Sequence, residues 1–238
     1  LAARTIIVGD VHGCSAEVKD LLDRVAFGSG DQLVFVGDLV NKGPDSSGVL
    51  ALARELGARA VLGNHEHRLI AARVARRAGQ TGPRLNALQE ELVRSFTEEE
   101  WKQLEGLPLK VDLPEHGIRV VHAGVVPGVP FEELDVLTVT RMRSIKKDGT
   151  PSDKWGTLWG SLWSGPPHVV FGHNARKFPQ LHPAATGLDT GCVYGGKLTA
   201  LVLDAGQAPP PPAERRSSLV SVDARKIYED YGQPLPED

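Results

Sequence analysis

The chain has 238 residues, with 27 Lys and Arg against 30 Asp and Glu, a formal net charge of −3. At 41% apolar and 24% charged it has an ordinary globular balance and enough length to enclose a full core. The near-neutral charge excludes bulk electrostatics as a demand for nucleic acid, and two cysteines, Cys14 and Cys192, are too few for a disulfide framework.

Residues 4–8 (RTIIV) predict a buried strand, followed by a helix with Ser15 as N-cap and Val18, Leu21, Leu22 and Val25 on its apolar face. Strands at 33–36 and 60–62 alternate with helices at 47–56 and 66–77, with Gly57 as a C-cap. This alternation predicts βαβ units and a parallel central sheet. Residues 81–107 read as a helical insertion, with Thr97 opening a capping box three residues before Glu100. Strands follow at 109–113, 118–121, 169–171 and 198–203. Residues 206–213 (GQAPPPPA) predict an extended linker, 218–222 a last edge strand, and the final GQPLPED a loose tail. The expectation is one α/β domain over 1–238, a mixed β-sandwich with helices outside. No apolar run approaches the ~20 residues of a membrane span and no signal peptide is visible. Because the chain begins at Leu1 directly before a strand, an upstream segment stays open, and the cytoplasm is only a default.

Chemistry concentrates where strands meet loops. GDVHG (9–13), GDLVNKG (37–43) and GNHE (63–66) each follow an apolar run, and HAG (122–124) and GH (172–173) come later. Together they offer carboxylate, imidazole and amide oxygen at the ends of five strands, a mixture suited to Mn²⁺, Fe, Co²⁺ or Zn²⁺. Asp10 and His12, two apart on an extended segment, are expected to face one metal. Asp38 is expected to bridge, and Asn64, His122 and His173 to hold a second metal. Two divalent metals lower the pKa of water from about 15.7 towards ~7 and orient a phosphate for in-line attack.

These fragments resemble the calcineurin-like metallophosphoesterases, on their phosphoprotein-phosphatase side, over residues 6–203. DLVNKGPDS (38–46), TRMR (140–143) and GLDTGCVYGGKLTAL (187–201) are similar to the ApaH-like branch, which includes symmetrical diadenosine tetraphosphatases, polyphosphatases and RNA-cap enzymes. The resemblance implies a four-layer αββα fold and two divalent metals, Mn²⁺ foremost, on the six ligands above. It implies phosphoanhydride hydrolysis, with diadenosine tetraphosphate giving two ADP and with polyphosphate, an RNA cap or a phosphoprotein as rival substrates. It further implies His65 as general acid beside the leaving group. Lys42 stands in place of a phosphate-binding arginine, and Arg141, with Arg143 as alternative, binds a second phosphate. Protein phosphatases carry Asp-Arg where this chain has Asn41-Lys42, so a protein phosphatase is disfavoured. A non-catalytic scaffold is the different-class alternative, set against an intact ligand set. A monomer is expected.

Other residues carry weaker signals. Arg68, Arg73, Arg76, Arg77 and Arg84 read as a solvated helix face, with a polyanion-attracting rim as the alternative. Arg141, Arg143, Lys146 and Lys147 form a second basic cluster. Trp155, Trp159 and Trp163, spaced i, i+4, i+8, predict one helical core face, with an adenine-stacking platform as the alternative. Tyr194, between small residues, is expected to reach a phosphate oxygen. Cys14 is expected to be oxidation-sensitive.

Overall fold

A computed structural model describes residues 3–237. The first part alternates as expected: β1 (Arg4–Val8), α1 (Ser15–Arg24), β2 (Gln32–Phe35), α2 (Ser46–Glu55), β3 (Arg59–Ala60) and α3 (Asn64–Arg77). The 81–107 segment folds into α4 (Ala87–Ser95) and α5 (Glu98–Glu105), followed by β4 (Lys110–Leu113), β5 (Ile118–Val121) and α6 (Val136–Arg141). Three short strands, β6 (Ser144–Ile145), β7 (Pro151–Ser152) and β8 (Thr157–Leu158), precede α7 (Trp159–Leu162) and β9 (His168–Phe171). β10 (Gln180–Leu181), β11 (Ala185–Gly187), β12 (Lys197–Asp204), α8 (Pro212–Arg215) and β13 (Leu219–Asp223) complete the order.

Two five-stranded sheets form, β13-β12-β1-β2-β3 and β10-β11-β9-β5-β4, with a separate β7-β6-β8 ribbon. β1, β2 and β3 run parallel to one another, as do β5, β9 and β11, while β12, β13, β4 and β10 pair antiparallel. Side chains alternate across β1, so Ile7 faces inward while Ile6 and Val8 face out. Ile7, Val34, Val120, Val170 and Leu201 fill the space between the sheets. Ile6, Val8 and Phe35 join Val18, Leu21, Leu50 and Leu69 of the helices outside the first sheet. Val121, Val169 and Phe171 pack with Val139 and Trp159 outside the second. This is the four-layer αββα arrangement. Its consequence for function is geometric: the carboxyl ends of the parallel strands of both sheets converge on one edge, where open α/β sheets hold their sites.

Several local expectations need correction. Cys14, rather than Ser15, is the N-cap of α1; Ser15 Oγ instead donates to Asp45 Oδ2, and Asp45 caps α2 by accepting from the Gly48 amide. The tryptophans do not share a helix. α7 spans only Trp159–Leu162; Trp155 lies before it, 46% exposed, and Trp159 alone is buried. Gly156 and Gly160 weaken any helix there, and β8 is drawn into pairing with β6. The proline-rich stretch stays irregular only until Pro212, which opens α8. The C-terminal segment is not loose. Tyr228 and Glu229 amides donate to the Val193 carbonyl, and the Lys177 amide donates to the Pro236 carbonyl. Cys14 is fully buried, which removes the exposure an oxidation-sensitive thiol requires.

Candidate metal centre and phosphate-binding site

Asp10 and His12 follow β1, Asp38 follows β2, Asn64 opens α3 just after β3, His122 follows β5 and His173 follows β9. The structure gathers His12, Asp38, Asn64, His122 and His173 closely, and Asp10 adjoins them with its carboxylate accepting the His173 amide at 3.1 Å, outside the two groups of close ligand atoms. The segment carrying Asp10 and His12 is not extended as expected, because His12 has φ of 47°. Asp38, Asn41, Lys42 and His173 also sit at positive φ, at 48°, 74°, 68° and 65°. Such conformations are uncommon for non-glycine residues and cluster where function demands them. Gly172 has no alternative either, since a Cβ there would enter the Asp10 carboxylate.

Asp38 is the shared element. Its carboxylate groups with His12 and His65 on one side and with His122 and His173 on the other, the ligand atoms of each group lying within 4.8 Å of one another. Asp38 Oδ2 lies 3.3 Å from His122 Nε2, 3.6 Å from His12 Nε2 and 3.9 Å from His65 Nε2. Asn64 Oδ1 lies 3.0 Å from His122 Nε2 and 2.9 Å from His173 Nδ1. Backbone carbonyls orient the rings. His122 Nδ1 faces the Val36 carbonyl at 2.8 Å, His12 Nδ1 the Val40 carbonyl at 3.4 Å, and His173 Nε2 the Arg141 carbonyl at 3.1 Å. With those nitrogens donating, the opposite ring nitrogen of each histidine turns a lone pair inward, the usual arrangement of a metal-ligating imidazole.

The donor set fits cations. Carboxylate, amide and imidazole groups converge in a buried pocket, and burial and their mutual charges set the protonation states. Burial opposes a charge on His122, but Asp38 and Asp10 hold it up to about 10. Burial, followed by the charge of Asp189, pushes the Asp10 carboxyl well up. Burial also opposes ionisation of Asp38, and the histidines around it, led by His122, outweigh burial and hold it well below the carboxylate range. A divalent cation would satisfy these acceptors together.

His65 lies in the same group of potential ligands as His12 and Asp38. Asn41 Nδ2 approaches its Nδ1. Donation from that amide leaves the imidazole proton on Nε2, the nitrogen facing Asp38 and the pocket. Burial takes its pKa down to about 4, against the pull of Asp38. Lys42 Nζ donates to Tyr194 Oη at 2.7 Å and lies 3.0 Å from His12 Nε2. Tyr194 and Lys42 therefore meet at the metal pocket.

A cavity of about 650 Å³ opens beside this pocket, lined in part by His65, Arg68, Arg84, Arg141, Arg143 and His173. Arg141 Nε and Arg68 Nε are buried without a hydrogen-bond partner. Arg143 reaches further in, lining the metal pocket as well, and donates to Asn174 Oδ1 at 2.8 Å. The basic segment around α3 thus divides. Arg73, Arg76 and Arg77 form ion pairs with Glu105, Glu90 and Glu98, so they are neither a rim nor a bare solvated face. Arg68 and Arg84 face the cavity. Of the second cluster, Arg141 and Arg143 line it and Lys146 lines a neighbouring one.

Two buried carboxylates carry roles that sequence reading missed. Glu66 accepts from the amides of Asp38 (3.0 Å), Val40 (3.1 Å) and Gly63 (3.0 Å), tying two ligand loops to one side chain. Its place at the third position of α3, from which its carboxylate reaches back to the amide of the N-cap Gly63, was the available signal. Asp189 accepts from the Gly191 amide at 3.0 Å and lines the metal pocket. It stands in the GLDTG stretch at the end of β11, a sixth strand terminus delivering a carboxylate.

Known proteins agree with this geometry. A model of the calcineurin-like phosphoesterases matches residues 3–204. The asymmetrical bis(5'-nucleosyl)-tetraphosphatase PrpE of Halalkalibacterium halodurans is 34% identical over 221 residues, spanning 82% of this chain and 88% of that protein. The symmetrical bis(5'-nucleosyl)-tetraphosphatase of Chromohalobacter salexigens is 34% identical over 266 residues, spanning 88% and 98%. A crystal structure provisionally assigned as a diadenosine tetraphosphatase superposes with a TM-score of 0.79 at 39% identity, spanning 94% of this chain and 95% of that one. With its matched strands ending in this ligand cluster, the chain belongs to the calcineurin-like phosphoesterase family.

Proposed function

We propose that this protein is a metal-dependent hydrolase of phosphoanhydride bonds that splits a dinucleoside tetraphosphate at its centre, giving two ADP from the diadenosine compound. The observation that carries the reading is Asp38, one carboxylate shared between two groups of potential ligands at the mouth of an arginine-lined cavity. Asp10, His12 and Asp38 would hold one divalent metal, and Asp38, Asn64, His122 and His173 the other, with Mn²⁺ foremost and Co²⁺, Fe and Zn²⁺ compatible. When bound, the metals supply an activated water and neutralise phosphate charge.

The chain's own residues do the rest. Arg141 and Arg143, with Arg68 and Arg84 further out, hold the phosphate chain. Lys42, tethered by Tyr194, adds a point charge at the metal pocket. As an imidazolium, with the Asn41 amide turned so that its oxygen accepts from Nδ1, His65 delivers its Nε2 proton to the departing phosphate oxygen and is left as the neutral imidazole. The charge of the arriving polyphosphate favours the imidazolium that this step needs. A phosphoprotein substrate fits less well, because Asn41 places a neutral amide beside His65 and the cavity presents several cations for a chain of phosphates.

A second reading, asymmetric cleavage to ATP and AMP, is supported by the similarity to the H. halodurans enzyme. Product analysis separates them. With Mn²⁺, diadenosine tetraphosphate should give ADP alone, faster than a phosphopeptide is cleaved, with inorganic polyphosphate and capped RNA run alongside. ATP plus AMP would move the reading to the asymmetric split. A cleaved phosphopeptide with every anhydride intact would reject the substrate class.

A further inference from the structure

The metal pocket has a second neighbour, opposite in character to the arginine cavity. Tyr194 and Tyr231 line the metal pocket and also a groove of about 510 Å³. The groove's remaining wall includes Phe178, Ile227, Pro234 and Leu235. Most of it comes from residues 223–237, beyond the 3–204 stretch matched by the family model. That segment is fixed at both ends. Arg225 and Tyr228 bond to Glu17, and Leu235 seats over Gly191. Between these anchors the chain arches so that the Tyr231 ring meets Tyr194 edge-on, at 4.8 Å between centroids.

We propose that this groove is the binding site for one nucleoside end of the substrate, with Tyr231 and Phe178 as specificity-determining residues. The proposal rests on the dinucleoside tetraphosphate reading above. Three observations favour a nucleoside over a further run of phosphates. The two lysines of the groove are already paired, Lys177 with Glu237 and Lys197 with Asp223, so little positive charge is left for phosphate. An aromatic face is on offer instead: Phe178 is 51% exposed, with Lys177 Nζ over one side of its ring at 5.5 Å from the centroid, and base stacking on the other side is favourable whichever base is presented. Asp230 and Gln233 on the same wall supply polar atoms for the edge of a base. The volume falls in the ~300–1,000 Å³ range of small-molecule sites. Because the groove joins the metal pocket through Tyr194 and Tyr231, a nucleoside seated there keeps its phosphates at the ligand cluster. The remaining phosphates and the second nucleoside then run into the arginine cavity on the other side, which shares His65 and His173 with the pocket.

The test compares diadenosine tetraphosphate with inorganic tripolyphosphate, which has no base, using the Mn²⁺-loaded full chain. Tyr231→Ala and Phe178→Ala should each lower the ratio of kcat/KM for the dinucleotide to that for tripolyphosphate by about tenfold. Tyr231→Phe, which keeps the ring, should restore the ratio. Phe178 is apart from the Tyr194–Lys42 contact, so its variant stays informative if Tyr231→Ala misfolds. Equal losses on both substrates, or no change in the ratio, would overturn the nucleoside site and leave a structural or partner-binding surface. If instead the wild-type protein cleaved tripolyphosphate but not the dinucleotide, it is the parent reading that would fail.

Discussion

Glu66 shows how much of this site is held by side chains that never face it. Its carboxylate accepts three backbone amides from the Asp38 and Asn64 loops, and burial pushes its pKa up to about 7. Glutamine keeps the size but puts an N–H donor where one oxygen accepted, so either the Val40 amide (at Oε1) or the Asp38 and Gly63 amides (at Oε2) face a donor and lose their acceptor. Glu66→Gln should weaken Mn²⁺ binding roughly 10- to 100-fold, the usual range for partners that orient metal ligands, while the melting transition stays cooperative. An unchanged affinity in a calorimetric titration would show that the loops hold themselves. For His65, alanine should lower turnover roughly 10²–10⁴-fold with metal content intact. Loss of a metal equivalent instead would make it a ligand, as its 3.9 Å distance to Asp38 allows. The ligands themselves were legible because each stands directly after an apolar strand run. Glu66 was only half legible, because its bond to the Gly63 amide is local while its bonds to the Asp38 and Val40 amides cross to another loop; Asp189 was hidden because its local bond to the Gly191 amide marks only a turn, and the metal pocket it lines is assembled from distant strands.

At the scale of elements, α3 is clamped to α4 and α5 by arginines, and these do not contribute equally. Arg73 is buried, stacks over Trp101 at 4.5 Å and bonds both Glu98 and Glu105. Arg77 also meets Glu98 but is exposed. Urea unfolding should show Arg73→Ala destabilised by about 2 kcal/mol and Arg77→Ala by under ~0.5 kcal/mol. Similar losses from both would mean that the ring contact adds nothing. Because α3 begins at Asn64, this clamp also fixes the register of a ligand and of His65. The capping box at Thr97 and the strand runs around β1, β2 and β5 were readable from local chemistry. The tryptophan spacing misled because periodicity outweighed the glycines that interrupt it. The C-terminal arch was hidden because its Pro- and Gly-rich composition resembles a tail, while its anchors are long-range bonds to Val193 and Lys177.

For the whole molecule, acid stability depends on a histidine remote from the metals. His168 on β9 is held neutral down to about pH 3 by burial and by nearby Arg215, its Nε2 lying 2.8 Å from Thr186 Oγ1. Its folded pKa lies below the ordinary 6.5, so the unfolded chain takes up the proton first and stability falls as pH drops from about 6.5 towards 3. Between pH 7 and 5 this contributes a loss on the order of 1–2 kcal/mol, which His168→Gln should remove; an identical pH slope in the variant would place the acid lability elsewhere. The net charge of −3 gives no hint of the site, because Arg68, Arg84, Arg141 and Arg143 gather in one cavity while carboxylates elsewhere on the chain offset their charge. The convergence of both sheets on Asp38 ties these scales together. The most direct measurement is metal content and dinucleotide hydrolysis for the wild-type protein and Asp38→Asn after Mn²⁺ loading and desalting. Two metals per chain with turnover in the wild type, and at most one metal with no turnover in the variant, is the predicted result. Full occupancy and undiminished hydrolysis in Asp38→Asn would contradict the shared-carboxylate centre.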